Sequence, residues 1–302
     1  MKSTLAGTGD IAPPVAIGGV GGSGTRIVAE LARAMGIHTG TDLNAASDTL
    51  WFTLLFKRRE ILSCTDEEFT MSFDALRAGL CGGRPFGPGE RSHLHGLCRS
   101  ERPGHSVEWL SHRAASLEAA AAEPMPPRRW GWKEPNTHVV IERLWQYQPD
   151  LRYIHVVRHG VDMAFSANQN QLILWGPSVL GNSEAPSPVR SLAYWCHTHR
   201  RIQRLLAANP RRMYWLDYDA LCREPVREAL RLAAFLECDL EPARPVLDTV
   251  RPPAPPRHAG EDLRIFPPDE LAYVRSLGYV VDAGAPSEGT YPPRQAQDPT
   301  AT

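Results

Sequence analysis

Residues 14–31 read PVAIGGVGGSGTRIVAEL, an apolar run followed by a glycine-rich turn and then by apolar residues at helical spacing. The short apolar run predicts a strand over 14–18, and the apolar spacing after the glycines predicts a helix over about 24–35. Glycine permits backbone angles that other residues resist, so the main-chain N–H groups of the turn can point at one anion in front of the helix N-terminus. The stretch therefore predicts a phosphate-like ligand held between Gly19 and Arg26.

The composition is that of a globular protein without a strong charge bias. The chain has 302 residues, of which 42% are hydrophobic, and a formal net charge of -1. Nucleic-acid-binding domains usually carry a basic excess, so no nucleic-acid partner is expected. The 6 cysteines include no Cys-x-x-Cys pair, which disfavours a zinc ribbon or a disulfide framework and favours a cytoplasmic location. No stretch predicts a signal peptide or a membrane span.

Strands alternate with helices along the rest of the chain. The clearest strand is predicted over 151–158, because its apolar and β-branched content is typical of a buried parallel strand. The alternation predicts a single three-layer α/β domain with a mainly parallel sheet over residues 1–282. Within it, residues 44–125 form a predicted helical insertion that covers the site. The composition of residues 283–302 predicts a disordered tail.

Local signals place the ends of several helices. Thr65 and Glu68 have capping-box spacing, which predicts a helix from there to Leu80. Ser47 and Asp48 are expected to cap a helix that begins near Leu50. The glycine, proline, asparagine and serine residues between 176 and 188 predict a loop.

Two known patterns overlap in the glycine turn. The first is G-x-G-x-x-G from Gly19, the dinucleotide fingerprint, with Asp42 near the position of a ribose-binding acid. The segment before Asp42 is a poor match to the second strand that a dinucleotide-binding fold requires, which disfavours the dinucleotide interpretation. The second is a Walker A loop, but here Thr25 occupies the lysine position and Arg26 the position of the hydroxyl that binds Mg²⁺. A metal-dependent kinase needs that hydroxyl, so a guanidinium there favours metal-free handling of an anion.

Residues 21–26 resemble the 5′-phosphosulfate loop of the sulfotransferase family, whose donor is 3′-phosphoadenosine-5′-phosphosulfate (PAPS). Residues 132–135 resemble the Lys-acid-Pro motif of that family, and residues 156–166 resemble its 3′-phosphate motif. Residues 214–225 resemble the strand and turn that follow. The motif style is closest to carbohydrate, tyrosine and bacterial sulfotransferases, and it covers about residues 14–240. The resemblance implies a fold like that of P-loop NTPases.

The resemblance also implies which residues bind the donor, and it requires no metal. The expected donor-binding residues are Gly21, Gly22, Ser23, Gly24, Thr25, Arg26, Arg158, Ser166 and Arg257. Ser166 is predicted on the helix after the strand, roughly two turns from its start, where it and Arg158 can hold one phosphate. Many relatives carry Lys or Arg where this chain has Gly22, which shifts the work of stabilising charge to Arg26 and Lys133.

The implied reaction moves a sulfuryl group to a hydroxyl or amine of a small-molecule, carbohydrate or lipid acceptor. Lys133 and Arg26 are expected to stabilise the developing charge. Asp42 is the first candidate for the general base, Asp48 the second and Glu134 the third. The sequence leaves two alternatives open, a P-loop-like small-molecule kinase and an inactive nucleotide-binding module. Several histidines over 93–112 match no defined metal-ligand spacing.

Overall fold

A computed structural model describes residues 12–281 of the chain, except residues 101, 103 and 126–128. The predicted tail over 283–302 lies outside the described residues. The division into a domain over 1–282 with an insertion over 44–125 stays a prediction.

Four strands form one sheet in the order β2-β1-β3-β4. They are β1 (Val15–Gly19), β2 (Gly131–Lys133), β3 (Arg152–Val157) and β4 (Met213–Asp217). β1 and β2 pair in parallel, with Val15 opposite Gly131 and Ile17 opposite Lys133. A Cβ at Gly131 would lie 2.0 Å from the Val15 carbonyl oxygen, so only glycine allows this approach. Helices flank the mainly parallel sheet, and the predicted α/β fold class is confirmed.

The helices connect the strands and make up most of the described chain. They are α1 (Thr25–Ala34), α2 (Leu50–Phe56), α3 (Asp66–Cys81), α4 (Pro88–Arg99), α5 (Val107–Ala122), α6 (Thr137–Tyr147), α7 (Gly160–Ala164), α8 (Asn170–Leu180), α9 (Pro188–Ala208), α10 (Tyr218–Arg223), α11 (Pro225–Leu236), α12 (Arg244–Leu247) and α13 (Pro268–Ser276).

The chain divides into two compact units. The first unit contains the chain up to Gly18 and Val28–Ile154, and the second contains Gly19–Ile27 and the chain from His155 onward. In the first unit, α2, α3, α4 and α5 pack against one another, and the aromatic side chains of Trp51 and Trp132 are fully buried. In the second unit, α7, α8 and α13 all pack against α9.

The helix start predicted from the capping-box residues Thr65 and Glu68 is confirmed. Its hydroxyl accepts a hydrogen bond from the Glu68 backbone N–H at 3.2 Å, and the Thr65 N–H donates to the Glu68 carboxylate at 3.0 Å. This reciprocal pair satisfies donors that the first turn of a helix leaves without partners. Helix α3 therefore begins where the sequence places it.

The predicted position of Ser166 on a helix is wrong, while its role in donor binding stays a prediction. Helix α7 ends at Ala164, so Ser166 lies in the turn between α7 and α8 and not on a helix. The Ser166 hydroxyl accepts from the Asn168 N–H at 3.3 Å, and the Asn168 side-chain oxygen accepts from the Asn170 N–H at 3.3 Å. Such local side-chain bonds compete with the helical ladder and turn the chain here.

Two further local predictions are wrong. Helix α8 extends to Leu180 and contains Pro177, where a loop was expected over 176–188. Its buried Leu172 and the packing of α8 on α9 outweigh the hydrogen bond that proline removes. Asp48 does not cap α2, because the N-cap residue is Thr49 and its side chain makes no capping bond.

Candidate active site

The glycine turn of the second unit presents backbone donors at the start of α1. The Ser23 N–H donates to the Val20 carbonyl at 3.1 Å, which closes the turn. Within the described part of the chain, the N–H groups of Gly22, Gly24 and Thr25 have no hydrogen-bond partner. Gly22 and Gly24 have φ angles of 91° and 92°, which glycine adopts without strain. The predicted anion site therefore has the donors it requires.

Tyr218 forms the support beneath this turn. A Cβ at Gly24 would lie 2.1 Å from the Tyr218 ring, so the ring touches the backbone of the turn directly. The sequence pattern placed Tyr218 in a family-like segment but gave it no role, because nothing in its spacing relates it to Gly24. The contact forms because α10 begins immediately after β4.

Arg158 directly follows β3, at the carboxyl end of a strand, where open α/β sheets bind ligands. Its side chain is buried, and its guanidinium carbon lies 5.3 Å from the centroid of the Tyr218 ring. Its Nε is buried without a hydrogen-bond partner among the described residues. A buried guanidinium with an unused donor fits an anionic group better than it fits a structural ion pair.

Ser166 lies beside the same turn. A Cβ at Gly22 would be 3.9 Å from the Ser166 hydroxyl oxygen. The Ser23 hydroxyl is buried and has no hydrogen-bond partner among the described residues. The backbone donors, two hydroxyls and Arg158 make a donor set that fits a phosphate-containing ligand.

The other two arginines that were predicted to bind the donor are exposed. Arg26 lies in the first turn of α1, where its charge is next to the backbone donors of the turn. Arg257 lies in a proline-rich segment, and its backbone N–H donates to the Asp162 carboxylate at 2.8 Å. The role of the Arg257 side chain in binding the donor stays a prediction.

In the first unit, the structure joins Lys133 to Asp48. Lys133 ends β2, its side chain is only 2% exposed, and its Nζ forms an ion pair with Asp48 and donates to the Ala46 carbonyl at 2.9 Å. Asn44 orders the turn that carries Ala46 and Asp48, since its side-chain oxygen accepts from the backbone N–H groups of both residues at 2.9 Å. A buried ammonium group is thus paired with a carboxylate.

Asp42 has a structural environment. Its carboxylate lies 3.1 Å from the Arg113 Nε and accepts from the Ser116 hydroxyl at 2.6 Å, so it ties the segment before α2 to α5. The Trp51 indole donates to the same hydroxyl at 2.8 Å. One carboxylate oxygen, Oδ2, makes both contacts, and through it Asp42 holds α5 in place.

Glu134 is buried below α6. It accepts from the backbone N–H of Asn136 at 2.6 Å and from its side-chain amide at 2.8 Å. Lys57 lies 3.7 Å away. Burial raises the pKa of Glu134, against the opposing effect of the Lys57 charge. Because its oxygens order the start of α6, we assign it a structural role.

A cavity of about 460 Å³ lies in the first unit, next to Asp48. Its polar lining includes Asn44, Asp48, Lys57, His105, Trp109 and Arg113. His105 stacks on Trp109 with ring centroids 4.3 Å apart. Burial and the charges of Lys57 and Arg102 lower the pKa of His105, so its ring is neutral near neutral pH. These wall residues come from the segment expected to cover the site. The sequence had indicated Asp48 as a candidate base, whereas no sequence motif singled out Lys57, Trp109 or Arg113.

Among the described residues, the histidines over 93–112 belong to no group of three converging potential ligands. His93 shares a hydrogen bond with the Ser72 hydroxyl at 2.9 Å, and His105 stacks on Trp109 instead. In the part of the chain that the structure describes, one group of potential ligands does converge. It consists of His159, Asp162 and His258 in the second unit, all buried.

Comparison with protein families matches residues 13–242 to the family described as "Sulfotransferase family". No curated protein matches the chain. No helix in the described residues has both the length and the apolar character needed to cross a bilayer.

Solved structures of sulfotransferases resemble the chain weakly. Sulfotransferase STF1 from Mycobacterium tuberculosis H37Rv is 16% identical, with 79% of this chain and 71% of that chain covered and a TM-score of 0.40. A sulfotransferase from Alicyclobacillus acidocaldarius is 15% identical, with 88% and 95% covered and a TM-score of 0.42.

Proposed function

The chain belongs to the sulfotransferase family, and on that basis we propose that it transfers a sulfuryl group from PAPS to a hydroxyl or amine of an acceptor. The acceptor would be a small molecule, a carbohydrate or a lipid. The observation that carries the proposal is the buried Arg158, whose Nε has no partner among the described residues, beside a glycine turn with unused backbone donors. A 3′,5′-phosphorylated nucleotide needs both features.

Each unit contributes its own residues to this function. In the second unit, the N–H groups of residues 22–25 would bind the 5′-phosphosulfate, and Arg158 with Ser166 would bind the 3′-phosphate. The donor, when bound, supplies the sulfuryl group and the leaving phosphate. Arg26 would stabilise the charge that develops on the phosphate. Arg257 is assigned to the 3′-phosphate side as well.

In the first unit, Asp48 would take the proton of the acceptor, and Lys133 would stabilise negative charge. We prefer Asp48 to Asp42 because it lines the cavity and contacts Lys133. The cavity would hold the acceptor, with Trp109 offering an aromatic wall. None of the 6 cysteines, all within the described residues, forms a disulfide, and we propose a cytoplasmic location.

Titration calorimetry tests the donor assignment. The wild-type protein should bind adenosine-3′,5′-bisphosphate in EDTA as well as in Mg²⁺. Arg158→Ala should lose about tenfold or more of its affinity for the bisphosphate and much less for AMP, which lacks the 3′-phosphate. Arg264→Ala is the matched control, since that guanidinium is exposed and pairs with Asp262 at 2.9 Å. Mg²⁺-dependent ATP binding without bisphosphate binding would overturn the proposal in favour of a kinase.

Turnover separates an enzyme from an inactive binding module. An acceptor screen with labelled PAPS should find sulfated product with wild type and a large loss with Lys133→Ala. The same variant should still bind the bisphosphate. A protein that binds the bisphosphate but sulfates none of a broad set of phenols, sugars, lipids and amines would contradict the assignment of catalysis.

A further inference from the structure

A network of buried hydrogen bonds joins the segment around Arg257 to helix α7. One oxygen of the Asp162 carboxylate accepts from the Arg257 N–H at 2.8 Å, from the His258 N–H at 3.3 Å and from the His258 Nδ1 at 2.6 Å. Asp162 and His258 are both buried. We call Asp162, His258 and His159 the carboxylate knot.

His159 connects the knot to the strand end that carries Arg158. Its ring stacks on the His258 ring, with centroids 4.7 Å apart and planes 23° apart. Its Nε2 lies 2.8 Å from the Val280 carbonyl oxygen, so that nitrogen carries the proton and donates. Its backbone N–H donates to the Asp219 carboxylate at 3.0 Å. His159 directly follows Arg158, so one side of the knot is continuous with the predicted 3′-phosphate motif.

The other side of the knot orders a segment that has no regular structure. Four prolines, at positions 252, 253, 255 and 256, precede Arg257 and exclude a helix or an inner strand. Among the described residues, it is Asp162 that accepts from the backbone N–H groups of Arg257 and His258. The Arg257 side chain is exposed, and it has no partner among the described residues. Its charge is therefore available on a backbone that the knot holds in place.

We propose that Asp162 and His258 are positioning residues, which hold the Arg257 guanidinium ready to bind the 3′-phosphate of the donor. The inference rests on the proposed function. Ordering this segment before binding removes an entropic cost that a loose loop would add to each binding event. A carboxylate that accepts three hydrogen bonds, one of them from an imidazole, is a strong anchor for this purpose.

The same three side chains could suggest a metal site, because their ligand atoms lie within 4.8 Å of one another. The observed bonds favour the knot. One Asp162 oxygen already has three donors, and the His258 Nδ1 faces that oxygen at hydrogen-bond distance. The His159 Nδ1 accepts from the Asp162 N–H at 3.4 Å. Each of these atoms has a role in the protein's own network.

A double-mutant cycle tests whether His258 acts through Arg257. Calorimetry with adenosine-3′,5′-bisphosphate would compare Arg257→Ala, His258→Phe and the double variant. The phenylalanine keeps the stacking on His159 and removes the Nδ1 bond. Each single variant should lose about tenfold in bisphosphate affinity, and the double variant should lose no more than Arg257→Ala alone. Affinity for AMP should not change. Losses that multiply to about a hundredfold in the double variant would overturn the proposal.

Hydrogen exchange tests the knot without any ligand. The amides of Arg257 and His258 should be protected in the wild type and should exchange faster in Asp162→Ala. Asp262→Ala is the matched control, because Asp262 is an exposed acid that caps a short 3₁₀ turn nearby. Equal exchange in the wild type and Asp162→Ala would overturn the knot, and so would one equivalent of bound metal that His258→Phe abolishes. A wild type that binds no bisphosphate would overturn the proposed function and the assigned ligand of Arg257. The hydrogen-exchange result would still show whether Asp162 holds the backbone of Arg257 and His258.

Discussion

At the scale of single residues, Gly24 is the most constrained position of the glycine turn. It combines a φ of 92° with a Tyr218 ring that leaves no room for a Cβ. Gly21 has a φ outside the left-handed region, and its nearest contact for a Cβ would be 3.6 Å away, at Asn168. The two glycines therefore offer a matched pair within one turn.

We expect Gly24→Ala to destabilise the protein by roughly 2–4 kcal/mol, because it adds both a backbone strain and a steric clash. Gly21→Ala should change the free energy of unfolding by less than about 1 kcal/mol. Urea unfolding followed by circular dichroism measures both. Equal losses for the two variants would contradict the close contact between Gly24 and Tyr218.

The acids Asp48 and Asp42 form a second matched pair. Asp48→Asn should lower kcat by about a hundredfold or more, since an amide cannot take the acceptor's proton. Asp42→Asn should retain most of kcat and lose stability, because the ion pair with Arg113 is lost and the hydrogen bond from Ser116 weakens. Steady-state kinetics with the acceptor found by screening, together with thermal unfolding, separates the two effects. A large loss of kcat in Asp42→Asn at unchanged stability would reverse the assignment.

At the scale of secondary structure elements, the capping box of α3 is expected to contribute to stability. Thr65→Ala removes the bond to the Glu68 N–H and should cost about 1 kcal/mol of stability. Ser63→Ala serves as the control, because its hydroxyl makes only a 3.4 Å bond to the Glu60 carbonyl. Urea unfolding of both variants gives the comparison. A Ser63 variant as destabilised as the Thr65 variant would mean that the box contributes nothing specific.

Elements were predicted well where the local signal was strong. Helix α3 was expected from the capping box at Thr65 and Glu68 to Leu80 and is observed over Asp66–Cys81, because the reciprocal cap fixes its start. The end of α7 and the course of α8 were not predicted. There, side-chain caps at Ser166 and packing around Leu172 override the helical and loop tendencies of the sequence.

At the scale of the whole molecule, the half-buried acid Asp219 makes stability depend on pH. Burial and the charge of Asp217 raise the pKa of Asp219 to about 6, against the opposing effects of the His159 N–H and the Arg158 charge. A raised pKa means that the folded state binds the proton more tightly than the unfolded state. The contribution of Asp219 to stability is therefore complete below its unfolded pKa of 3.8 and is lost as pH rises through about 6.

Asp219→Asn should remove this dependence. The free energy of unfolding of the variant minus that of the wild type should therefore rise by an amount on the order of 2 kcal/mol between pH 4 and pH 7.5. The asparagine oxygen can still accept from the His159 N–H. Burial lowers the pKa of His159, which has the opposite sign, so the difference between variant and wild type is the quantity to measure. Denaturant unfolding at several pH values gives it, with the exposed Asp248→Asn as control. An unchanged difference across this range would contradict the raised pKa.

Residues close together in the chain specify the strand, glycine turn and helix, the run of family-like motifs and the start of α3, so the sequence alone predicts these features. The packing of the elements brings Asp48 rather than Asp42 to Lys133, places the Tyr218 ring against Gly24, and joins Asp162 to the Arg257 segment. Those contacts join residues that the chain separates by 85, 194 and 95 positions, counted from the printed numbers. Their existence depends on how the elements pack, and no spacing along the sequence encodes it.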